Sequence, residues 1–259
     1  MGDNARVPAQ PYDAFAPHFD AWQRAFGAAY DDLILTRVLQ ALRVHAPSAQ
    51  TVVDLGIGTG DLVLALARHG YRVVGVDRSR PMLAVAAAKA RAAGLRNPPV
   101  FYEQDVRTLN LSEPVDAAIC VYTVINQLTV ADDLARAFAS VHAALLPGGV
   151  FLFELNLPVS YARYWSGTEV TQLADGTIVR REHRREATGL IILAEVTIQQ
   201  LRDGRVEEAR DQIAQRPYAD HEIESALAST GFTLIACERF NPFAPADEPC
   251  KALWVVRKG

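Results

Sequence analysis

The run Thr51-Val52-Val53-Asp54-Leu55-Gly56-Ile57-Gly58-Thr59-Gly60 constrains this chain more than any other stretch. Its apolar, β-branched first half predicts a buried strand. Its second half sets glycine at alternate positions, which predicts a bend bare of Cβ atoms that opens a helix. A ligand can lie against such a bend, at the positive end of the helix. The spacing G-x-G-x-G, with an acid two places before the first glycine, departs from the G-x-G-x-x-G of a dinucleotide fold. A nucleotide-type ligand is expected, and a pyrophosphate is disfavoured.

Two further apolar runs also end in acids. Arg72-Val73-Val74-Gly75-Val76-Asp77 places a carboxylate at a strand end, where it suits both hydroxyls of a ribose and repels a 2′-phosphate. Val100-Phe101-Tyr102-Glu103-Gln104-Asp105-Val106 repeats the pattern with an acid suited to accept from the exocyclic amine of adenine.

Together with the turn Leu146-Pro147-Gly148-Gly149 before Val150-Phe151-Leu152-Phe153-Glu154, these motifs occur in the order found in class I S-adenosylmethionine-dependent methyltransferases, which the chain resembles over about residues 51 to 156. The resemblance implies a methyl-donor cofactor, S-adenosyl-L-methionine, and a Rossmann-like, doubly wound, mostly parallel seven-stranded sheet ending in an antiparallel hairpin. Matching motif positions implies that Gly56 and Gly58 approach the methionine portion and ribose, with Asp54 at the cofactor amino group or structuring the turn. Asp77 would hold the ribose, with Arg78 contributing backbone and Met82 packing on adenine. Asp105 and Val106 would read the adenine edge, and Val121 would pass the methionine portion.

The start Tyr12-Asp13-Ala14-Phe15-Ala16-Pro17-His18-Phe19-Asp20, followed by Tyr30, is similar to the aromatic cap of sugar-amine and glycine N-methyltransferase-like enzymes. By that resemblance Tyr12, Phe19 and Tyr30 would close over the methionine portion, where aromatic faces favour a sulfonium cation. Those aromatics would equally serve to pin a terminal helix to the core. The loop Tyr122-Thr123-Val124-Ile125-Asn126-Gln127-Leu128 lacks the Asn/Asp-Pro-Pro-aromatic pattern of nucleobase and protein-glutamine methyltransferases, which argues against those substrates. Asn126 and Gln127 are the candidates for orienting a polar acceptor, or for satisfying the loop backbone. A catalytic residue is not assigned.

Periodicity organises the rest as an α/β chain. An apolar stripe from Leu33 to Leu42 predicts a helix over Tyr30 to His45. Further helices are expected over Asp61 to His69, Pro81 to Ala93, Ala131 to Leu145 and Asp220 to Thr230. Thr59 and Asp61 are read as possible helix caps. From Thr168 to Gln215 long alternating strands, with turns at Asp175-Gly176, Thr188-Gly189 and Asp203-Gly204, predict an antiparallel β-meander inserted after the fifth strand. The expected division is a helical cap (1–50), a cofactor-binding core (51–157), the β-rich insertion (158–217) and the end of the core sheet (218–259).

The 259 residues suffice for one such domain with its insertion, and no apolar run approaches the ~20 residues that span a bilayer. A net charge of −4 disfavours nucleic acid. The cluster Arg180-Arg181-Glu182-His183-Arg184-Arg185-Glu186, with glutamates interleaved, reads as a solvated strand face. The N-terminus carries no apolar signal segment, and Cys120, Cys237 and Cys250 lack metal-ligand spacing, so no metal and a cytoplasmic setting are expected. Cys120 reads as a buried hydrophobe, and His18 and His221 as structural or exposed.

The expected activity is therefore methyl transfer to an N or O atom of a small molecule, with the insertion covering the site or forming a homodimer contact. A non-catalytic S-adenosylmethionine-binding protein and an NAD-dependent dehydrogenase are the alternatives.

Overall fold

The computed structural model describes residues 10–186 and 191–259. Its helices are α1 (Ala16–His45), α2 (Asp61–Arg68), α3 (Arg80–Ala93), α4 (Asp133–Ala144), α5 (Pro158–Tyr164) and α6 (Asp220–Ser229). Its strands begin with β1 (Thr51–Leu55), β2 (Arg72–Asp77), β3 (Val100–Glu103), β4 (Val115–Cys120) and β5 (Leu145–Asn156). Four more, β6 (Gly167–Gln172), β7 (Ile178–Arg185), β8 (Ile192–Arg202) and β9 (Arg205–Gln215), precede β10 (Phe232–Phe240) and β11 (Lys251–Lys258).

Seven strands form one sheet in the order β3-β2-β1-β4-β5-β11-β10, and the other four form the meander β6-β7-β8-β9. The strands β1 to β5 are parallel, whereas β11 runs antiparallel to β5 and β10 antiparallel to β11. The expected α/β class, sheet, meander and final hairpin are all present. Strand order reverses between β1 and β4, and at such a switch point the carboxyl ends of the strands leave a crevice for ligand.

Both faces of the sheet are covered, which explains why the central strands read as continuous apolar runs. On one face Phe138, Phe151, Phe153 and Trp254 pack with α4 and α6. On the other, Ile34, Val38 and Leu42 of α1 pack with Leu62, Val63 and Leu66 of α2. A third cluster joins Phe15 and Trp22 of the N-terminal segment to Val179, Ala194, Val196 and Ile213 of the meander. The insertion and the cap therefore share one core.

Several elements depart from expectation. Helix α1 begins at Ala16, with a kink at Gly27, because Pro17 suits a first helical turn and the residues after it tolerate helix. Strand β5 begins at Leu145: pairing with β4 jumps from Val115↔Leu145 to Ala117↔Val150, so residues 146–149 bulge out at Pro147 and Gly148. Helix α5 was not expected, and the turn at Thr188-Gly189 lies outside the described residues. Among the described residues no helix is long and apolar enough to cross a membrane.

Candidate active site

A cleft opens at the switch point over the glycine turn. Gly56, Gly58, Asp77, Arg78, Met82, Asp105 and Val106 all line it, as do Tyr12 and Gln127. Gly56 has φ +71°, and a Cβ there would sit 2.4 Å from Val124 Cγ2. Gly58 has φ +54° and faces open space, so its missing side chain is what leaves room for ligand. Four amides of the turn are already engaged: Gly56 and Ile57 donate to Val76 O, Gly60 donates to Ile57 O, and Gly58 donates to Asp77 Oδ2 at 2.8 Å. A pyrophosphate site needs such amides free, so this turn is shaped for contact with a ligand that carries no phosphate there.

Asp77 holds the turn and the start of the next helix together, accepting Gly58 N–H on one oxygen and Ser79 N–H on the other at 2.8 Å. Asp77 also lines the cleft, where its remaining lone-pair capacity can accept hydrogen bonds. Burial pushes its pKa up. Met82 and Val106 are buried apolar residues of the cleft lining. Asp105 lines the cleft, but its carboxylate is gripped by the Arg107 guanidinium through contacts of 2.9 and 2.6 Å. Burial acts to raise its pKa, and the Arg107 hydrogen bonds outweigh this and lower it. Arg107 also bridges to the buried Asp133.

Asp54 and Val121 line a smaller recess that continues this cleft past Gly56 and Gly58. Asp54 is buried, and burial pushes its pKa up to about 8. Burial thus favours its neutral form.

A second cavity, rich in aromatic side chains, lies between α1, the core and the meander. Tyr12, Phe19 and Tyr122 line both this cavity and the cleft, so the two spaces meet at these three rings. Tyr12 has φ +75°, and its hydroxyl, which burial pushes up to about 12, accepts from Gln127 Nε2 at 3.3 Å. Tyr122 and Thr123 follow β4 with φ +59° and +64°. Residues held in this region cost ~1–3 kcal/mol each and persist where surroundings over-determine them. Here Thr123 N–H donates to Glu154 Oε2 at 3.0 Å and Thr123 Oγ1 accepts from Gln215 Nε2 at 3.1 Å.

Polar contacts pin the N-terminal segment over the cleft. Ser79 Oγ donates to Asp13 Oδ1 at 2.7 Å and Arg78 donates to Gln10 Oε1 at 2.9 Å. Thr59 and Asp61 do not cap α2: Thr59 donates to Asp20 of α1, and Lys89 joins Asp20 at 2.9 Å to Asp61 at 2.5 Å. The cap helix and the glycine turn are thus tied directly.

The two acceptor-orienting candidates separate. Asn126 is fully buried and lines neither space; its amide donates to Asn156 O and Arg216 O and accepts Asn156 N–H at 2.8 Å. It is a structural knot between the β4 loop, β5 and the end of β9. Gln127 lines the cleft beside Tyr12. Tyr30 lines the aromatic cavity and not the cleft, while His18 and His221 line neither.

The basic cluster is only half solvated. The strand alternates, so Arg180, Glu182 and Arg184 face outward while Arg181 and His183 turn in with Val179. The Arg181 guanidinium lies 4.9 Å from the Trp22 ring centre and 5.5 Å from that of Trp165, with Glu169 at 3.6 Å. Burial, then the charge of Arg181, hold His183 down to about 4. The alternation with Val179 was the available signal. Tyr122, Trp22, Glu154 and Lys251 had none, because each depends on what lies across from it.

Residues 52–149 match the family model described as a methyltransferase domain. By this match residues 52–149 form a methyltransferase domain. The chain is 32% identical over 144 residues to the dTDP-3-amino-3,6-dideoxy-alpha-D-glucopyranose N,N-dimethyltransferase of Streptomyces fradiae, covering 55% of this chain and 54% of that relative. It is 32% identical over 140 residues to the demethylmenaquinone methyltransferase of Thermus thermophilus, covering 53% and 60%. The chain thus spans little more than half the length of these curated relatives. A crystal structure of an S-adenosylmethionine-dependent methyltransferase from Clostridium acetobutylicum shares the methyltransferase-domain fold with a TM-score of 0.76 at 22% identity, over 96% of this chain and 99% of that one.

Proposed function

We propose that this chain is an S-adenosylmethionine-dependent methyltransferase acting on a nitrogen or oxygen atom of a small molecule, with the aromatic cavity as its acceptor site. The observation that carries this is the meeting of cleft and cavity at Tyr12, Phe19 and Tyr122. The residues present fit the cofactor: Gly58 leaves space, Asp77 has lone pairs for a ribose, Met82 and Val106 flank an adenine, and the acidic recess at Asp54 suits a cationic amino-acid end.

The bound cofactor supplies an electrophilic methyl carbon on a sulfonium. The protein's part is placement. Tyr12, Phe19 and Tyr122 hold the acceptor in line and keep water out, and such placement is worth up to roughly 7 to 11 kcal/mol of barrier. A neutral amine attacks without prior proton loss, so an N-acceptor needs no base. The amino-sugar substrate in the name of the Streptomyces fradiae relative, with the aromatic cavity beside the cleft, favours an amine on a ring.

Titration with S-adenosylmethionine, S-adenosylhomocysteine and NAD tests the cofactor, and a tritiated methyl-donor screen against pooled metabolites tests turnover. Binding of the first two with transfer to some acceptor is expected. Cofactor binding with no transfer would favour a non-catalytic binding protein, and preferential NAD binding a dehydrogenase.

A further inference from the structure

The aromatic cavity has a charged floor. Glu154 of β5 is fully buried and Lys251 of β11 nearly so, brought together because Lys251 pairs with Asn156 across the antiparallel strands. Lys251 Nζ donates to Glu154 Oε1 and to Asn156 Oδ1, each at 2.7 Å. Desolvating two ions costs several kcal/mol each, and apolar residues of equal volume would serve the fold as well or better. Packing alone does not account for this pair. Beside it lies the Tyr30 hydroxyl, which is buried, lines the cavity, and makes no well-formed hydrogen bond although Glu154 is near.

Both groups present donors. Two of the three Lys251 N–H groups go to Glu154 and Asn156, and Nζ lies 4.9 Å from the centre of the Tyr30 ring. Burial and the nearby Glu154 charge hold the phenol neutral, so it keeps its proton. Donors that line one cavity select an oxygen that accepts.

We infer that Tyr30 and Lys251 are specificity-determining residues that bind an oxygen substituent of the acceptor, a hydroxyl, ether or carbonyl, on the side away from its nucleophile. The acceptor class is a compact amine or alcohol carrying a second oxygen function, with its apolar face against the aromatic wall. This rests on reading the cavity as the acceptor site. With the oxygen held at the floor, the nucleophile is directed to the junction at Tyr12, Phe19 and Tyr122.

The test compares wild type with Tyr30→Phe, using 2-amino-2-deoxyglucose and trans-2-aminocyclohexanol as oxygen-bearing probes and cyclohexylamine and benzylamine as oxygen-free ones. Methyl transfer is followed from tritiated donor, and probe binding to the S-adenosylhomocysteine complex by ligand-observed NMR. The oxygen-bearing probes should be preferred by about 10-fold or more in kcat/KM. Tyr30→Phe should raise their KM about 5- to 10-fold with kcat within about twofold. Its melting temperature should change little, since the hydroxyl makes no hydrogen bond of normal geometry within the protein. Equal use of the two probe classes, an unchanged KM, or a loss confined to kcat overturns the inference and leaves the activity standing. No probe binding to a protein that still binds S-adenosylhomocysteine overturns it together with the acceptor-site reading. Failure to bind the methyl donor overturns the proposed activity itself.

Discussion

The Gly58 amide donates to the Asp77 carboxylate at 2.8 Å, which ties the glycine turn after β1 to the tip of β2. One side chain thus shapes the turn and lines the cleft. Asp77→Ala should weaken S-adenosylmethionine binding by about 1.5 to 3 kcal/mol, the range for hydrogen bonds to a charged group. Calorimetric titration checks this, and an unchanged curve would remove Asp77 from the ribose site.

Asp54 should impose a pH dependence. Its folded pKa is raised to about 8 by burial, against an unfolded value near 3.9. Between these values the folded state binds the extra proton, so the stability it contributes is present below about pH 4 and lost as pH rises through 8. Asp54→Asn should flatten urea stability between pH 5 and 8. Binding a cationic cofactor should also release a proton at pH 7, visible as a buffer-dependent enthalpy that the variant lacks. Identical pH profiles for the two proteins would contradict both expectations.

The two central glycines should fail differently. Gly56→Ala meets Val124 and should destabilise the fold, whereas Gly58→Ala points a methyl into open space and should cost only ~1 kcal/mol for its left-handed backbone. Gly58→Ala should therefore fold yet lose cofactor affinity. Thermal unfolding beside cofactor titration separates the two, and tight binding by Gly58→Ala would count against the cleft.

Neighbours Asn126 and Gln127 should also separate. Asn126→Ala strands buried backbone groups of Asn156 and Arg216 and should cost about 2 to 4 kcal/mol, from at least two lost buried hydrogen bonds. Gln127→Ala removes one 3.3 Å contact to Tyr12 and should leave stability within about 0.5 kcal/mol. Denaturant midpoints decide, and equal losses would mean that Asn126 is not the knot described.

The cleft was legible from local pattern, and the cavity was not. Gly56, Gly58, Asp77, Met82 and Val106 were readable because a strand, a turn and a helix following in order place them on one edge of the sheet. Arg181 was half legible, through its alternation with Val179. Asn126 looked like a ligand-binding amide because its partners lie at 156 and 216, far along the chain. Tyr122 and Thr123 adopt left-handed backbone that neither residue type suggests.

By itself the amino-acid order determined the strand-turn-helix units, the acids at the strand ends, the glycine turn and the existence of a separate meander. These follow from backbone sterics and side-chain alternation, which act over a few residues. Tertiary structure alone decided that the cap and meander line an aromatic cavity, that Glu154 meets Lys251 beneath Tyr30, and that four of the turn's amides are spent within the protein. Those outcomes depend on which distant strands and helices come face to face, and burial then sets whether a charge is paired, a proton is held, or a hydroxyl is left for a ligand.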